Sequence, residues 1–169
     1  LGDLGAHGIA MTRLLAGDIS AVCARTILPH PMRKDPATGQ MRQVGNEDIA
    51  DALFECENGV TGIFSTSRIT GGSKMAFTFE LTGTQGTIRW DAERYNEIQF
   101  FDAREPKDRG GFRTILVNAS HPPFVNFCPA PGHGIGFNDF KVIEIYELME
   151  SIAGGKRVLT DMNDGAKVG

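Results

Sequence analysis

Two kinds of apolar spacing alternate along this chain. Over residues 3–16, Ile9, Met11, Leu14 and Leu15 gather on one side at helical intervals, and Gly17-Asp18 stops the run. Residues 19–28 are β-branched and apolar enough for a strand. From residue 48 the period changes to two. Ala50, Ala52, Phe54 and Cys56 fall on one face of a strand over 48–57, Asn58-Gly59 predicts a two-residue hairpin turn, and residues 60–69 form the partner. Over 74–82, Met75, Phe77, Phe79 and Leu81 point one way while Lys74, Thr78, Glu80 and Thr82 point the other. Shorter strands are predicted over 87–90, 97–101 and 114–117. The helical period returns over 137–153, where Val142, Ile145, Met149 and Ile152 make a stripe to be buried, broadened by Ile143, Tyr146 and Leu148.

The punctuation between these runs is equally direct. Residues 29–46, with Pro31, Pro36 and Gly39, predict a polar loop long enough to be functional. Asn138 or Asp139 is placed to cap the long helix, Gly154-Gly155 with Lys156 and Arg157 to end it, and Asn163-Asp164-Gly165 to open another. Strands joined by hairpins predict an α+β fold: one large, mainly antiparallel open sheet with helices packed on one face. No linker divides the chain, so residues 1–169 are read as one domain.

Composition narrows the function. The 169 residues carry 41% hydrophobic and 22% charged side chains and a net charge of −4, ordinary for a globular protein. Lys and Arg are scattered, without the basic stripe that a nucleic-acid surface needs. No apolar run approaches a membrane span, so neither nucleic acid nor a membrane is an expected partner. Cys23, Cys56 and Cys128 form neither a CxxC pair nor a disulfide framework; they are read as buried, inert thiols of a cytoplasmic protein. The absence of HxH, HExxH and CxxC spacings predicts no metal site.

The candidate chemistry begins at the first helix. Asp3 and His7 are four residues apart and so share one helix face, where a carboxylate can orient an imidazole as a base near neutral pH. The plain alternative is Asp3 favouring the helix dipole with a half-buried His7 beside it. His133, between glycines ahead of the long helix, is read as a substrate contact or as a loop-stabilising hydrogen bond. Arg68, ending a strand with Ser65 and Ser67, is placed to face a substrate or a partner subunit, with the sheet surface the favoured position. His30 and His121 precede prolines and read as turn residues, and Phe124 and Phe127 as loop packing.

The stretch GDLGAHGIAMTRLLAG resembles the opening of the C-terminal domain in the glucose–fructose oxidoreductase and inositol dehydrogenase (Gfo/Idh/MocA) family, with its D-x-G-x-H pattern and apolar helix ending at Gly. The resemblance continues in order through ECENGVTGIFSTSR, FELTGTQGTIRW, GHGIGFNDFKVIEIYELMESIAGGKR and DGAKV. It implies a dihydrodipicolinate-reductase-like C-terminal domain whose N-terminal Rossmann partner is absent from this chain, with both ends trimmed. It further implies that Asp3 and His7 are catalytic; His133 and Arg68, from their own positions, are the candidates for contacting the sugar or polyol. NAD or NADP would be held mainly by the absent domain; no G-x-G-x-x-G loop follows a strand here, and GHGIG has the wrong spacing. The expected function is the substrate side of an NAD(P)-dependent oxidoreductase that transfers hydride to or from a sugar, polyol or related compound, inactive without its other half. Assembly into a homodimer or homotetramer through the open sheet is implied as well. The alternative is a non-catalytic module for sheet-mediated oligomerisation or sugar binding.

Overall fold

The structure is a computed structural model that describes residues 2–154 and 160–168. They fall into two compact units, one up to Gly72 together with the residues from Thr160, the other from Ser73 onward. The fold is α+β with antiparallel open sheets and few helices, as the alternation predicts. Every strand pair among the described residues is antiparallel. In place of one large sheet there are three.

In the first unit, helix α1 (Gly2–Ala16) leads into β1 (Ile19–Ile27), a ribbon of β2 (Met32–Lys34) and β3 (Met41–Gln43), and then β4 (Ile49–Cys56) and β5 (Thr61–Ser67). Strands β1, β4 and β5 form a sheet with β4 in the centre. Helix α1 lies on the Phe64 side of that sheet. Its close approach is at the buried Gly8, with Gly5 also buried; of the apolar side that the periodicity selects, Ile9 and Met11 are half-buried while Leu14 and Leu15 remain exposed. The reason is distance: a Cβ on Gly8 would overlap the Phe64 ring, so only glycine lets helix and sheet approach this closely.

The β4–β5 turn has three residues rather than two. Gly59 takes a left-handed φ of +83° and its N–H donates to the Cys56 carbonyl (2.9 Å). Asn58 explains the longer loop. Its Nδ2 donates to the Ala16 carbonyl at the end of α1 (2.8 Å), while its Oδ1 accepts the Val60 N–H (3.1 Å). Residues 29–46 are not all loop, since they contain the β2–β3 ribbon. A short helix α3 (Met162–Ala166) forms at the predicted place, capped by Asp161, whose side chain accepts from Asn163 and Asp164 N–H. It is tied to α1 through Asp18, which receives Arg13 Nη2 (2.7 Å) and Lys167 Nζ (2.8 Å).

The second unit is a four-stranded meander of β6 (Thr78–Gly83), β7 (Gly86–Asp91), β8 (Glu97–Asp102) and β9 (Arg113–Leu116), followed by α2 (Phe137–Ile152). Strand β6 starts four residues later than the alternation predicts. Glu93, on a short 3-10 turn after β7, accepts the N–H groups of Lys74 (2.5 Å) and Met75 (2.9 Å) and diverts them from the ladder. Across one face Trp90 packs against Phe77 and Phe79. Neither predicted residue supplies the N-cap of α2, because Gly136 stands there. Asp139 serves the position from the third residue of the helix, its carboxylate accepting the Gly136 N–H (2.6 Å). The expected stripe of α2 is not buried in this chain. Ile143 alone of its apolar residues lies inside, while Val142, Ile145, Met149 and Ile152 are exposed. Helical period shows which residues need cover; it does not supply the surface that covers them. The predicted stop at Gly155, Lys156 and Arg157 lies outside the described residues.

Cys56 and Cys128 are buried as expected, but Cys23 is exposed, because it lies on the open face of β1. Phe124 and Phe127 are half-buried around a short 3-10 turn. Among the described residues, no helix is long and apolar enough to cross a membrane.

Candidate active site

In the first unit the chemistry collects where α1 begins and β5 ends. Asp3 sits in the first turn of α1, favoured there by the helix dipole, with His7 one turn along the same face and exposed. The carboxylate of Asp3 does not go to His7. It is paired with the guanidinium of Arg68, just past the end of β5 and sixty-five residues away in sequence. Sequence spacing could not show this pair; β4–β5 pairing and the packing of α1 on Phe64 create it. Both partners stay open to solvent, Arg68 at 52% and Asp3 at 73% of the side chain, so unused oxygens and N–H groups still face outward. Such a pair adds little stability, since exposed ion pairs are worth only about 0–1 kcal/mol. Its value is an oriented carboxylate and guanidinium beside an accessible imidazole.

Beneath this cluster lies Asp48, which the sequence reading passed over. It is 1% exposed and joins Arg33 of the ribbon to the strand ends. An acidic residue directly before the apolar start of β4 was the available signal, blurred by its neighbour Glu47. On the opposite, open face of the three-stranded sheet, Arg25, Asp51 and Ser65 run in register across β1, β4 and β5. The Ser65 hydroxyl, and then the Arg25 guanidinium, hold the Asp51 carboxyl below the usual carboxylate range. Next to them Cys23, Leu53 and Ile63 form an exposed apolar row, with Ile63 82% exposed.

In the second unit, Asn96 fixes the loop that carries His133. Its Nδ2 donates to the Ile135 carbonyl (2.9 Å) and its Oδ1 accepts the Ile135 N–H (2.7 Å). The His133 Nδ1 lies 3.1 Å from the Ala130 carbonyl, the loop-stabilising contact that was one of its two sequence readings. This unit also holds an open groove of about 700 Å³ lined by Met75, Phe77, Trp90, Tyr95, Phe137 and Phe140. Lys74 and Glu93 border it, the Glu93 carboxylate committed to backbone N–H groups, and the remaining walls are mostly apolar. His30 gives its backbone N–H to Asp48, and His121 Nδ1 accepts the Asn118 N–H; both act as turn residues. Among the described residues, no three His, Cys, Asp or Glu side chains converge on a metal-sized site.

The first unit thus carries the Asp3–Arg68 ion pair and His7 at one end of an antiparallel sheet. Residues 1–89 match the GFO/IDH/MocA C-terminal domain, and the chain belongs to that family. Levoglucosan dehydrogenase of Pseudarthrobacter phenanthrenivorans is 33% identical over 99% of this chain and 46% of its own length. D-apiose dehydrogenase of Rhizobium rhizogenes is 32% identical over 79% of this chain and 33% of its own. The solved structure of levoglucosan dehydrogenase with NADH and levoglucosan superposes with a TM-score of 0.90 at 34% identity, covering 98% of this chain and 44% of that one. The chain thus spans less than half the length of these relatives.

Proposed function

We propose that this chain is the substrate-side half of an NAD(P)-dependent dehydrogenase acting on a sugar or related polyol. The observation that carries the reading is the Asp3–Arg68 pair set beside His7, in a chain whose relatives are sugar dehydrogenases. His7 takes the proton of the reacting hydroxyl as general base, a role suited to an imidazole that is exposed. Asp3 and Arg68 grip neighbouring hydroxyls, the carboxylate accepting and the guanidinium donating. In the second unit, when Nδ1 of His133 donates to the Ala130 carbonyl, Nε2 is left to accept from a hydroxyl.

The residues here do not fit a dinucleotide. Among those described there is no glycine-rich turn between a strand and a helix to cradle its phosphates, and the groove of the second unit is mostly apolar. In the intact protein a nicotinamide would supply the hydride acceptor or donor, held mainly by residues outside this chain.

Assembly through the three-stranded sheet into a homodimer or homotetramer is a second, compatible reading. The exposed Cys23, Leu53 and Ile63 row favours it. The decisive experiment is to incubate the intact protein with NAD+ or NADP+ and a panel of sugars and polyols, levoglucosan and D-apiose first, and follow absorbance of the reduced cofactor. Turnover with at least one of them is expected. No reduction with any would leave the sugar-binding or assembly module as the better reading.

A further inference from the structure

Asp48 stands out because a fully buried carboxylate must be matched, and the way it is matched links four parts of the first unit. Its N–H donates to the Ile27 carbonyl at the end of β1 (2.9 Å), and its own carbonyl accepts the N–H of Arg68 beyond β5 (2.9 Å). Its side chain looks the other way. Oδ2 accepts the His30 N–H at the foot of the ribbon (3.3 Å), and Oδ1 is ion-paired with Arg33 in β2. Asp48 is therefore one backbone hydrogen bond from the residue that holds Asp3. A buried ion pair is a poor source of net stability compared with apolar packing of equal volume; what it supplies is direction.

The ribbon makes that direction necessary. Arg33 and Arg42 stand directly opposite each other in the β2–β3 register, an arrangement that repels unless each charge is answered. Arg42 is answered within the ribbon by Asp35 (3.2 Å), whereas among the described residues Arg33 is answered from outside the ribbon, by Asp48. Without Asp48 the two guanidinium groups would push the ribbon out of its present setting.

We infer that Asp48 is a positioning residue: through Arg33 it latches the β2–β3 ribbon beside the Arg68–Asp3 pair, so that the ribbon forms a wall orienting the sugar. This rests on the dehydrogenase reading above. The test uses the intact protein with levoglucosan and D-apiose as probe sugars, comparing Arg33→Gln, Arg33→Lys and Asp48→Asn. Arg33→Gln raises the KM for sugar about tenfold or more, leaves the KM for NAD(P)+ within about twofold and kcat within about threefold, and Arg33→Lys restores most of the loss. A sugar KM unchanged in Arg33→Gln overturns the inference, even where the melting temperature falls. Asp48→Asn, which keeps an acceptor for His30, is expected to reproduce the same split; Arg33→Gln carries the test where that variant fails to fold. Amide hydrogen exchange supplies a readout free of activity. In Arg33→Gln, faster exchange confined to residues 30–44 is expected, and an unchanged pattern there overturns the latch. If the unsubstituted protein oxidises no sugar, the wall falls with the dehydrogenase reading, and the exchange measurement still decides the latch.

Discussion

At the scale of single residues, chemistry and packing are assigned by what each side chain touches. The Asp3 carboxylate is engaged by Arg68 and so does not orient His7, which under the proposed function acts as the general base. That separation predicts how His7→Ala behaves in the intact protein. Turnover should fall by about 10²- to 10⁴-fold, the usual worth of a general base. The melting temperature should move little, because His7 is exposed and bears no packing load. Sugar-dependent cofactor reduction within a few-fold of the parent would remove His7 from the proton transfer. Gly8 illustrates the converse, a residue with no chemistry whose missing Cβ decides how near α1 comes to Phe64. Glycine at this point reads as punctuation in a sequence; only the packed ring reveals it as a contact.

Elements are joined here by polar clasps as much as by core. Asn58 ties the β4–β5 turn to the end of α1, and Asp18 ties the start of β1 to Arg13 of α1 and to Lys167 after α3. The hydrogen bond from Lys167, and then that from Arg13, holds the Asp18 carboxyl below its ordinary range. A depressed folded-state value means that the clasp contributes stability above the unfolded carboxylate range and loses it as pH falls through the folded value. Asp18→Asn should therefore melt below the parent at pH 7, and the gap should close as the buffer is taken below about pH 4. Thermal melts of both proteins across pH 3 to 8 check this; a gap that persists unchanged into acid would show that the charge is not what Asp18 contributes.

For the whole molecule, the open face of the three-stranded sheet and the exposed apolar side of α2 are surfaces this chain leaves uncovered. The sheet face carries an apolar row flanked by the Arg25–Asp51–Ser65 network, the composition of an interface core with a polar rim. Ile63→Glu in the intact protein should thus lower the oligomeric mass measured by light scattering, with little change in melting of the separated subunit; an unchanged mass would assign assembly to another surface. The ordered motifs from D-x-G-x-H onward carried the family resemblance, and apart from β2 and β3 the sequence by itself determined the strand and helix runs and their antiparallel pairing. Those are local matters of period, turn chemistry and short-range spacing, complete within a few residues of chain. It also showed that α2 has an apolar stripe, but not that this stripe stays bare. Only the tertiary structure decided that Asp3 belongs to Arg68, that Asp48 is buried under the ribbon, and that one expected sheet is three. These contacts join residues as much as sixty-five positions apart, and pairing at that range is set by packing and by the matching of buried charge, which no local period encodes.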